Sequence, residues 1–381
     1  MSFGIPPVGG DQAKWSRIVR GVWQGFWLRV PVRYHWGLAT LAFLPSTAFA
    51  DPAATLPVGA PVLEVPVRCR IGADCFVQNY VDADPGPGMR DFACGRLTYD
   101  GHKGTDFRLT DLEAMRRGVA VVAAAAGTVA RVRDGMEDVS IRQSGGAPAG
   151  REAGNAVVVD HGNGWETQYS HLKRGSIAVS LGDRVEAGTP LAQVGLSGRT
   201  EFPHVDFGIR HDGRTLDPYT GKETGTGEAP ACPTDQGAAP VPPGTLWSAE
   251  ARRTLAYRPS ALLGAGLAPE APRAEVARDG GYGGSHDGRS LPADTPVLGV
   301  WAELMGGRQG DRVTLEVSGP DGRRLFRNEG AVPRPLAVLF FGSEVKKSAS
   351  GPWTSGAYRV TVTVRHGDET MLREERRVEL R

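Results

Sequence analysis

The sequence lacks an excess of charge of either sign. Its 44 Lys and Arg residues stand against 43 Asp and Glu residues, which gives a formal net charge of +1. It also has no long run of Lys and Arg, whereas proteins that bind nucleic acid generally carry a basic patch. The composition therefore argues against nucleic acid as the main partner.

Long apolar runs are also missing. A membrane span needs about 20 consecutive apolar residues, and the apolar run at residues 37–50 is shorter and contains Pro45. This run ends in Ala48-Phe49-Ala50, a small-x-small pattern that is typical of a signal-peptidase site. We therefore expect residues 1–50 to be a cleavable signal peptide, which leaves an exported protein with no stable membrane span. A membrane anchor is the alternative.

Cysteine is scarce, and its spacing carries information. The chain has four cysteines, and no two of them show the C-x-x-C spacing of many structural zinc sites. In an exported protein, an even number of cysteines most simply forms disulfides, and four cysteines allow three connectivities. We prefer the pairing of Cys69 with Cys75 and of Cys94 with Cys232.

Glycine and proline, in contrast, are plentiful, with 52 and 28 residues. They favour many turns and few long helices. Short β-branched runs between residues 119 and 210 alternate with turn signals, which predicts a mostly antiparallel sheet. Asp160–Gly164 is predicted to be a tight hairpin turn, and residues 134–154 a loop inserted into a hairpin.

Composition also divides the chain into segments. We expect an N-terminal extension over residues 51–98, a strand-rich domain over 99–222 and a Gly- and Pro-rich linker region over 223–290. In residues 291–381, apolar residues such as Val313, Leu315 and Val317 alternate with polar ones. This period predicts a small Ig-like β-sandwich with one face of each strand buried. The predicted fold class is mostly β.

Three short motifs between residues 98 and 220 carry the chemistry. They are an H-x-x-x-D motif with His102 and Asp106, a Y-S-H-L motif with His171, and a P-H-x-D-F motif with His204 and Asp206. Residues two apart on a strand point to the same side, so His204 and Asp206 should project together. Grouped imidazoles and carboxylates of this kind are typical of a divalent metal site with added bases.

The order of these motifs resembles that of the lysostaphin/LytM-like zinc metallopeptidases, family M23. The likeness extends to the hairpin N-A-V-V-V-D-H-G-N-G at residues 155–164 and to G-D-R-V-E-A-G-T-P-L-A-Q-V-G at residues 182–195. It covers about 120 residues. The resemblance implies a LytM-like fold and one zinc ion per chain.

The resemblance also implies roles for individual residues. His102 and Asp106 match the first two zinc ligands, and His171 and His204 match the two catalytic histidines. Asp206 stands where the family has a second histidine of an H-x-H motif as third ligand. A carboxylate oxygen of Asp has the same reach from Cα as Nδ1 of His, and zinc accepts both at similar distances, so we expect Asp206 to be the third ligand.

The implied activity is that of an exported zinc endopeptidase acting on peptides of bacterial peptidoglycan, in the periplasm or cell envelope. The alternative is a catalytically impaired LytM-like protein that binds peptidoglycan or activates a separate amidase.

Overall fold

A computed structural model describes residues 56–147, 149–225, 241–242, 244–283, 290–347 and 351–381. The first half of this part contains short strands and two short helices. These elements are β1 (Cys75–Asn79), β2 (Thr105–Leu109), α1 (Leu112–Arg117), β3 (Ala120–Val122), β4 (Gly127–Arg133), α2 (Ile141–Ser144), β5 (Asn155–Gly162), β6 (Trp165–Leu172), β7 (Arg184–Val185), β8 (Pro190–Gln193), β9 (His204–His211) and β10 (Arg214–Leu216).

Most of these strands form one antiparallel sheet in the order β1-β2-β9-β6-β5-β4-β7, and β10 pairs with β9. Strands β3 and β8 form a separate two-stranded sheet. Strand β1 lies within the predicted N-terminal extension, and it adds to the sheet beside β2. The predicted antiparallel β-architecture is confirmed.

The sheet has one apolar face and one polar face around the β2–β9 pair. Phe107 and Phe207 are fully buried members of the main apolar core. Asp106 and Asp206 alternate with these residues along the two strands and therefore point to the opposite face. The same alternation that builds the core thus places the carboxylates together.

Two predicted connections are present. Strands β4 and β5 pair, so residues 134–154 form the connection of a hairpin, and this connection carries α2. Strands β5 and β6 meet in a tight turn, where Asn163 has φ +50° and Gly164 φ +79°. Positive φ at both central positions is what short hairpin turns require.

The second half of the described chain holds two further sheets, β11-β13-β16 and β12-β18-β17-β14-β15. Their elements, with two helices, are α3 (Ala249–Thr254), β11 (Ala261–Ala268), α4 (Ala274–Asp279), β12 (Ser290–Leu291), β13 (Leu298–Gly307), β14 (Arg312–Ser318), β15 (Arg324–Ala331), β16 (Leu336–Val345), β17 (Gly356–His366) and β18 (Glu369–Leu380). Apolar residues of both sheets share one buried core. The Ig-like connectivity stays a prediction.

The linker prediction needs a correction over part of its range. Residues 223–290 include α3, β11 and α4, and β11 pairs along its length with β13. Every residue of β11 is buried, so its sequence A-L-L-G-A-G-L-A shows no alternation that would mark a strand with one solvent face. The exact domain boundaries stay predictions.

The cysteine and export predictions have separate outcomes. Cys69 and Cys75 form the predicted disulfide. Cys94 is buried and no described cysteine is free, but its predicted partner Cys232 lies outside the described residues. The predicted signal peptide also lies outside them. Within the described part of the chain, no helix has the length and apolar character that crossing a membrane requires.

Candidate metal and catalytic site

The site is built on the polar face of the β2–β9 pair. Asp106 on β2 and Asp206 on β9 are directly opposite partners in this antiparallel pair. His102 lies in the loop that leads into β2, four residues before Asp106. Ligand atoms of these three residues all lie within 4.8 Å of one another.

Hydrogen bonds fix the orientation of the first two side chains. Nδ1 of His102 lies 2.8 Å from the carbonyl oxygen of Tyr80 and therefore donates to it. This leaves the lone pair on Nε2, which points to Oδ1 of Asp106 at 3.3 Å. The other oxygen of Asp106 accepts a hydrogen bond of 2.7 Å from Nδ2 of Asn79 at the end of β1.

Three buried atoms in this cluster have no hydrogen-bond partner, namely Nε2 of His102, Oδ1 of Asp106 and Oδ1 of Asp206. All three are acceptors when the carboxylates are ionised and His102 is neutral. Buried acceptors that face one another are costly unless a cation or a proton lies between them. One imidazole nitrogen and two carboxylate oxygens are a donor set that zinc accepts, so these residues fit a metal ion.

Gly104 provides the space for the Asp206 side chain. A Cβ atom at position 104 would lie 1.7 Å from Oδ1 of Asp206 and 2.9 Å from its Cγ. No other residue could occupy position 104 with the carboxylate in this place. Gly104 is thus part of the site although it donates no ligand.

His171 is held beside the cluster in a strained backbone conformation. Its φ of +62° is unusual for a residue other than glycine, and such residues often occur at functional sites. Nδ1 donates a 2.7 Å hydrogen bond to the carbonyl oxygen of Ser197, which leaves Nε2 as the free acceptor. Burial and the neighbouring His204 lower the pKa of His171 to about 4.

His204 lies on β9, on the same face as Asp206, and its ring centroid is 4.6 Å from that of His171. Nδ1 of His204 lies 2.9 Å from the carbonyl oxygen of Phe202, and Nε2 lies 3.4 Å from Oδ1 of Asp106. Burial lowers the pKa of His204, although the charge of Asp106 opposes this. Both histidines are therefore neutral near pH 7 and carry a free Nε2.

The charge of the cluster favours a positive group at its centre. Burial alone would lower the pKa of His102, but the charges of Asp106 and Asp206 outweigh it and raise the pKa to about 9. Burial and the charge of Asp106 raise the pKa of Asp206. A proton can therefore occupy this position in the metal-free protein, and a metal ion that binds there must displace it.

The structure brings together all five predicted site residues, His102, Asp106, His171, His204 and Asp206. Their individual roles stay predictions. Two contacts of the site are not evident from the sequence: Asn79 fixes Asp106, and the carbonyl of Ser197 fixes His171. Neither had a local signal, since both contacts join distant parts of the chain. Gly104, between His102 and Asp106, is the sequence feature that indicates a close approach of another side chain, here that of Asp206.

Comparison with known proteins matches residues 100–218 to Peptidase family M23. This segment is an M23 domain. The family assignment from the motifs is confirmed. The matched residues contain the β3–β8 sheet and every strand of the site-carrying sheet except β1. The two sheets of the second half of the described chain lie outside them.

Proteins similar to the M23 domain include a metalloprotease, a peptidoglycan endopeptidase and an activator of murein hydrolases. An uncharacterized metalloprotease of Haemophilus influenzae is 32% identical over 149 residues, or 39% of this chain and 26% of the relative. The peptidoglycan DD-endopeptidase ShyA of Vibrio cholerae is 31% identical over 115 residues, or 30% and 21%. The murein hydrolase activator EnvC of Escherichia coli is 42% identical over 65 residues, or 17% and 15%. The matches thus span about a quarter or less of these relatives.

Solved structures are also similar to the M23 domain. A zinc-containing peptidase from Vibrio cholerae has 26% sequence identity and a TM-score of 0.25, over 38% of this chain and 39% of that chain. The low TM-score adds nothing to the family assignment.

Proposed function

We propose that residues 99–222 form a zinc metalloendopeptidase that cleaves peptide bonds in bacterial peptidoglycan. The observation that carries this proposal is the convergence of three unpartnered buried acceptors, from His102, Asp106 and Asp206, beside two neutral histidines. Similarity to ShyA, a peptidoglycan DD-endopeptidase, supports the choice of substrate.

His102, Asp106 and Asp206 would hold one zinc ion per chain. When bound, zinc supplies Lewis-acid polarisation of a carbonyl or of water. Asn79 and the carbonyl of Tyr80 keep two of the ligands in place through hydrogen bonds, as outer-shell partners do in metal sites.

His171 and His204 would move protons. Each donates through Nδ1 to a backbone carbonyl, so each presents the lone pair of Nε2 to the site. Either imidazole can take the proton of the attacking water at Nε2, and the N–H that this creates can then donate a hydrogen bond to the negative charge that develops on the carbonyl oxygen. The low pKa of His171 keeps its Nε2 unprotonated at neutral pH.

The proposal includes export to the cell envelope, where peptidoglycan is found. The motive is the small-x-small motif that ends the apolar run of residues 37–50. N-terminal sequencing of protein secreted from an expressing cell should place the first residue at or near Asp51. Intact residues 1–50 on the protein from the envelope fraction would contradict cleavage.

The experiment is a hydrolysis assay with the full chain on purified peptidoglycan, which follows release of soluble peptides. A chelator should stop release, and added Zn²⁺ should restore it. His204→Ala should lower turnover by about 100-fold or more, which is the usual contribution of a general base, while it leaves bound zinc nearly unchanged.

His211→Gln is the matched control, since His211 lies on the same strand but stacks on Trp165 outside the site. This variant should keep both zinc and turnover. A protein that binds stoichiometric zinc yet releases nothing from several cross-link types would contradict the endopeptidase proposal.

That outcome would favour the second candidate, a non-catalytic protein that binds peptidoglycan or activates an amidase. Two observations support it. Asp206 replaces the expected histidine, and EnvC, a murein hydrolase activator, is among the relatives. Added to a separate amidase, such a protein should raise the rate of that enzyme.

A further inference from the structure

Arg108 is a buried cation on the face of the sheet that carries the site. It lies two residues after Asp106 on β2, so both side chains point to the same side. Its direct partner across the β2–β9 pair is His204. Along the strand, about 6.6 Å separates the Cα atoms of Asp106 and Arg108.

The side chain of Arg108 is held firmly in this position. Its guanidinium carbon lies 4.6 Å from the ring centroid of Phe202, and that ring packs on His204 at 4.6 Å between centroids. Nε donates to the carbonyl oxygen of Leu109 at 3.1 Å, and Nη1 donates to the side-chain oxygen of Gln78. The residue is only 3% exposed.

Both hydrogen-bond partners of Arg108 are neutral. Among the described residues, no carboxylate lies within ion-pair distance of its guanidinium. Glu303 of β13 and Asp111 act on it electrostatically from further away. Glu303 forms its ion pair with Arg278, and Asp111 accepts a hydrogen bond from the backbone nitrogen of Ala114 at the start of α1. An arginine side chain is not deprotonated in proteins, so Arg108 is a cation at neutral pH.

A buried guanidinium normally has an anionic partner, because desolvation of the charge is otherwise costly. Among the described residues, none accepts a hydrogen bond from Nη2 of Arg108. Planar guanidinium groups bind carboxylates through two parallel hydrogen bonds, and Nη2 remains as a donor together with the second N–H of Nη1. The missing partner is therefore an anion that reaches the polar face of the sheet.

We propose that Arg108 is a specificity-determining residue that binds a free carboxylate of the substrate peptide, next to the scissile bond. This inference rests on the proposed endopeptidase function. The peptide carboxylate would neutralise the charge of Arg108. The scissile carbonyl would then lie beside the proposed metal ligands Asp106 and Asp206. A carboxamide in the same position could not neutralise Arg108, since it carries no charge.

The test compares two cross-linked peptides that differ only in a carboxylate or a carboxamide on the residue that adjoins the scissile bond. We measure kcat/KM of the full chain for each peptide. The wild-type chain should prefer the carboxylate by about tenfold or more, because a hydrogen bond to a charged group contributes at least about 1.5 kcal/mol. Equal rates on the two peptides would overturn the proposal.

Variants assign the preference to Arg108. Arg108→Gln should bring the ratio of the two rates close to one, and Arg108→Lys should keep part of the preference. Arg199→Gln is the matched control, since Arg199 is exposed yet its charge reaches Tyr99, which stacks on His102. This control should keep the wild-type ratio. If Arg199→Gln abolishes the preference and Arg108→Lys does not reduce it, the proposal is wrong.

Binding separates this proposal from the proposed function. Calorimetric titration of the metal-free full chain should show tighter binding of the carboxylate peptide than of the carboxamide peptide, and Arg108→Gln should remove the difference. If no peptide is cut but this difference is present, the endopeptidase proposal fails and the role of Arg108 stands. If both peptides are cut and bound equally, the endopeptidase proposal stands and the role of Arg108 fails.

Discussion

Asp106 and Asp206 lie directly opposite each other in the β2–β9 pair. Opposite side chains in an antiparallel pair have Cβ atoms about 4.5–5.5 Å apart, and like charges at this separation are destabilising. Here both carboxylates also have a buried oxygen without a hydrogen-bond partner. The fold therefore places negative charge where only a positive group can stabilise it, and this relationship is the basis of the proposed metal site.

Gly104→Ala should weaken zinc binding without unfolding the protein. The new Cβ would lie 1.7 Å from Oδ1 of Asp206, so the carboxylate must move away. Removal of an outer-shell partner lowers metal affinity by about tenfold or more. Displacement of a ligand itself should lower zinc affinity by at least this factor. Titration with zinc in a competing chelator measures this affinity.

Gly208→Ala is the control for that variant. Gly208 lies on the same strand as Asp206, and a Cβ there would meet nothing closer than the backbone oxygen of Lys103 at 3.7 Å. Zinc affinity should match the wild type. Equal affinity of the Gly104→Ala variant would contradict the place assigned to Asp206.

Stability should depend on pH through Asp217, which is buried in the turn that follows β10. Burial raises the pKa of Asp217 to about 7 in the folded protein, compared with an ordinary value of 3.8. Because the folded pKa is the higher one, the folded state binds the proton more tightly. The contribution of Asp217 to stability is therefore largest below about pH 4 and is lost as the pH rises to about 7.

Asp217→Asn should remove this part of the pH dependence. An amide can still accept the 2.9 Å hydrogen bond from the backbone nitrogen of Tyr219. Each unit of pKa difference corresponds to about 1.4 kcal/mol, so the variant should gain stability relative to the wild type at pH 8. Urea unfolding at pH 4 and pH 8 tests this. Asp368→Asn, at an exposed position, is the control and should keep the wild-type slope.

The sequence predicted β9, which carries two of the five site residues, with good accuracy. The alternation from His204 to Arg210 indicated a strand, and β9 runs from His204 to His211. The short H-x-D and H-x-x-x-D spacings also placed the candidate ligands, since local geometry decides which side chains share a face. The features that the sequence predicted are those that neighbouring residues along one strand determine.

Features that depend on distant contacts could not be predicted. Strand β1 is buried at every position, so its sequence C-F-V-Q-N has no alternation, yet it supplies Asn79 to Asp106. The burial of Arg108 follows from its packing on Phe202. The positive φ of His171 is held by its hydrogen bond to Ser197. None of these contacts has a signature in the neighbouring sequence.

The Cys69–Cys75 disulfide and the predicted Cys94–Cys232 bridge should stabilise the protein unequally. Cys69 and Cys75 close a loop with a sequence separation of 6, for which the chain-entropy relation gives about 2 kcal/mol. The predicted Cys94–Cys232 bridge would close a much longer loop, so Cys94→Ala should cost more than Cys69→Ala in chemical unfolding. Mass spectrometry should show a gain of four hydrogens on reduction. Four thiols that alkylate in the native protein would disprove both bridges.

Asp206→His should keep the metal and shift the pH dependence of activity. An imidazole can reach the same position as the carboxylate, and zinc binds both. The exchange raises the formal charge of the centre by one, so the pH below which activity falls should move to lower values. A pH–rate profile of the two proteins on one peptide measures the shift. An upward shift would contradict the charge argument.

The most direct test of the central claim is zinc content, measured by elemental analysis on the purified full chain and its Asp206→Ala variant side by side. The account predicts close to one zinc ion per wild-type chain. It predicts almost none in the variant, since His102 and Asp106 alone are too few ligands for a stable zinc site. Equal zinc in the two proteins, whether near one or near zero, would contradict the assignment of Asp206 as the third ligand.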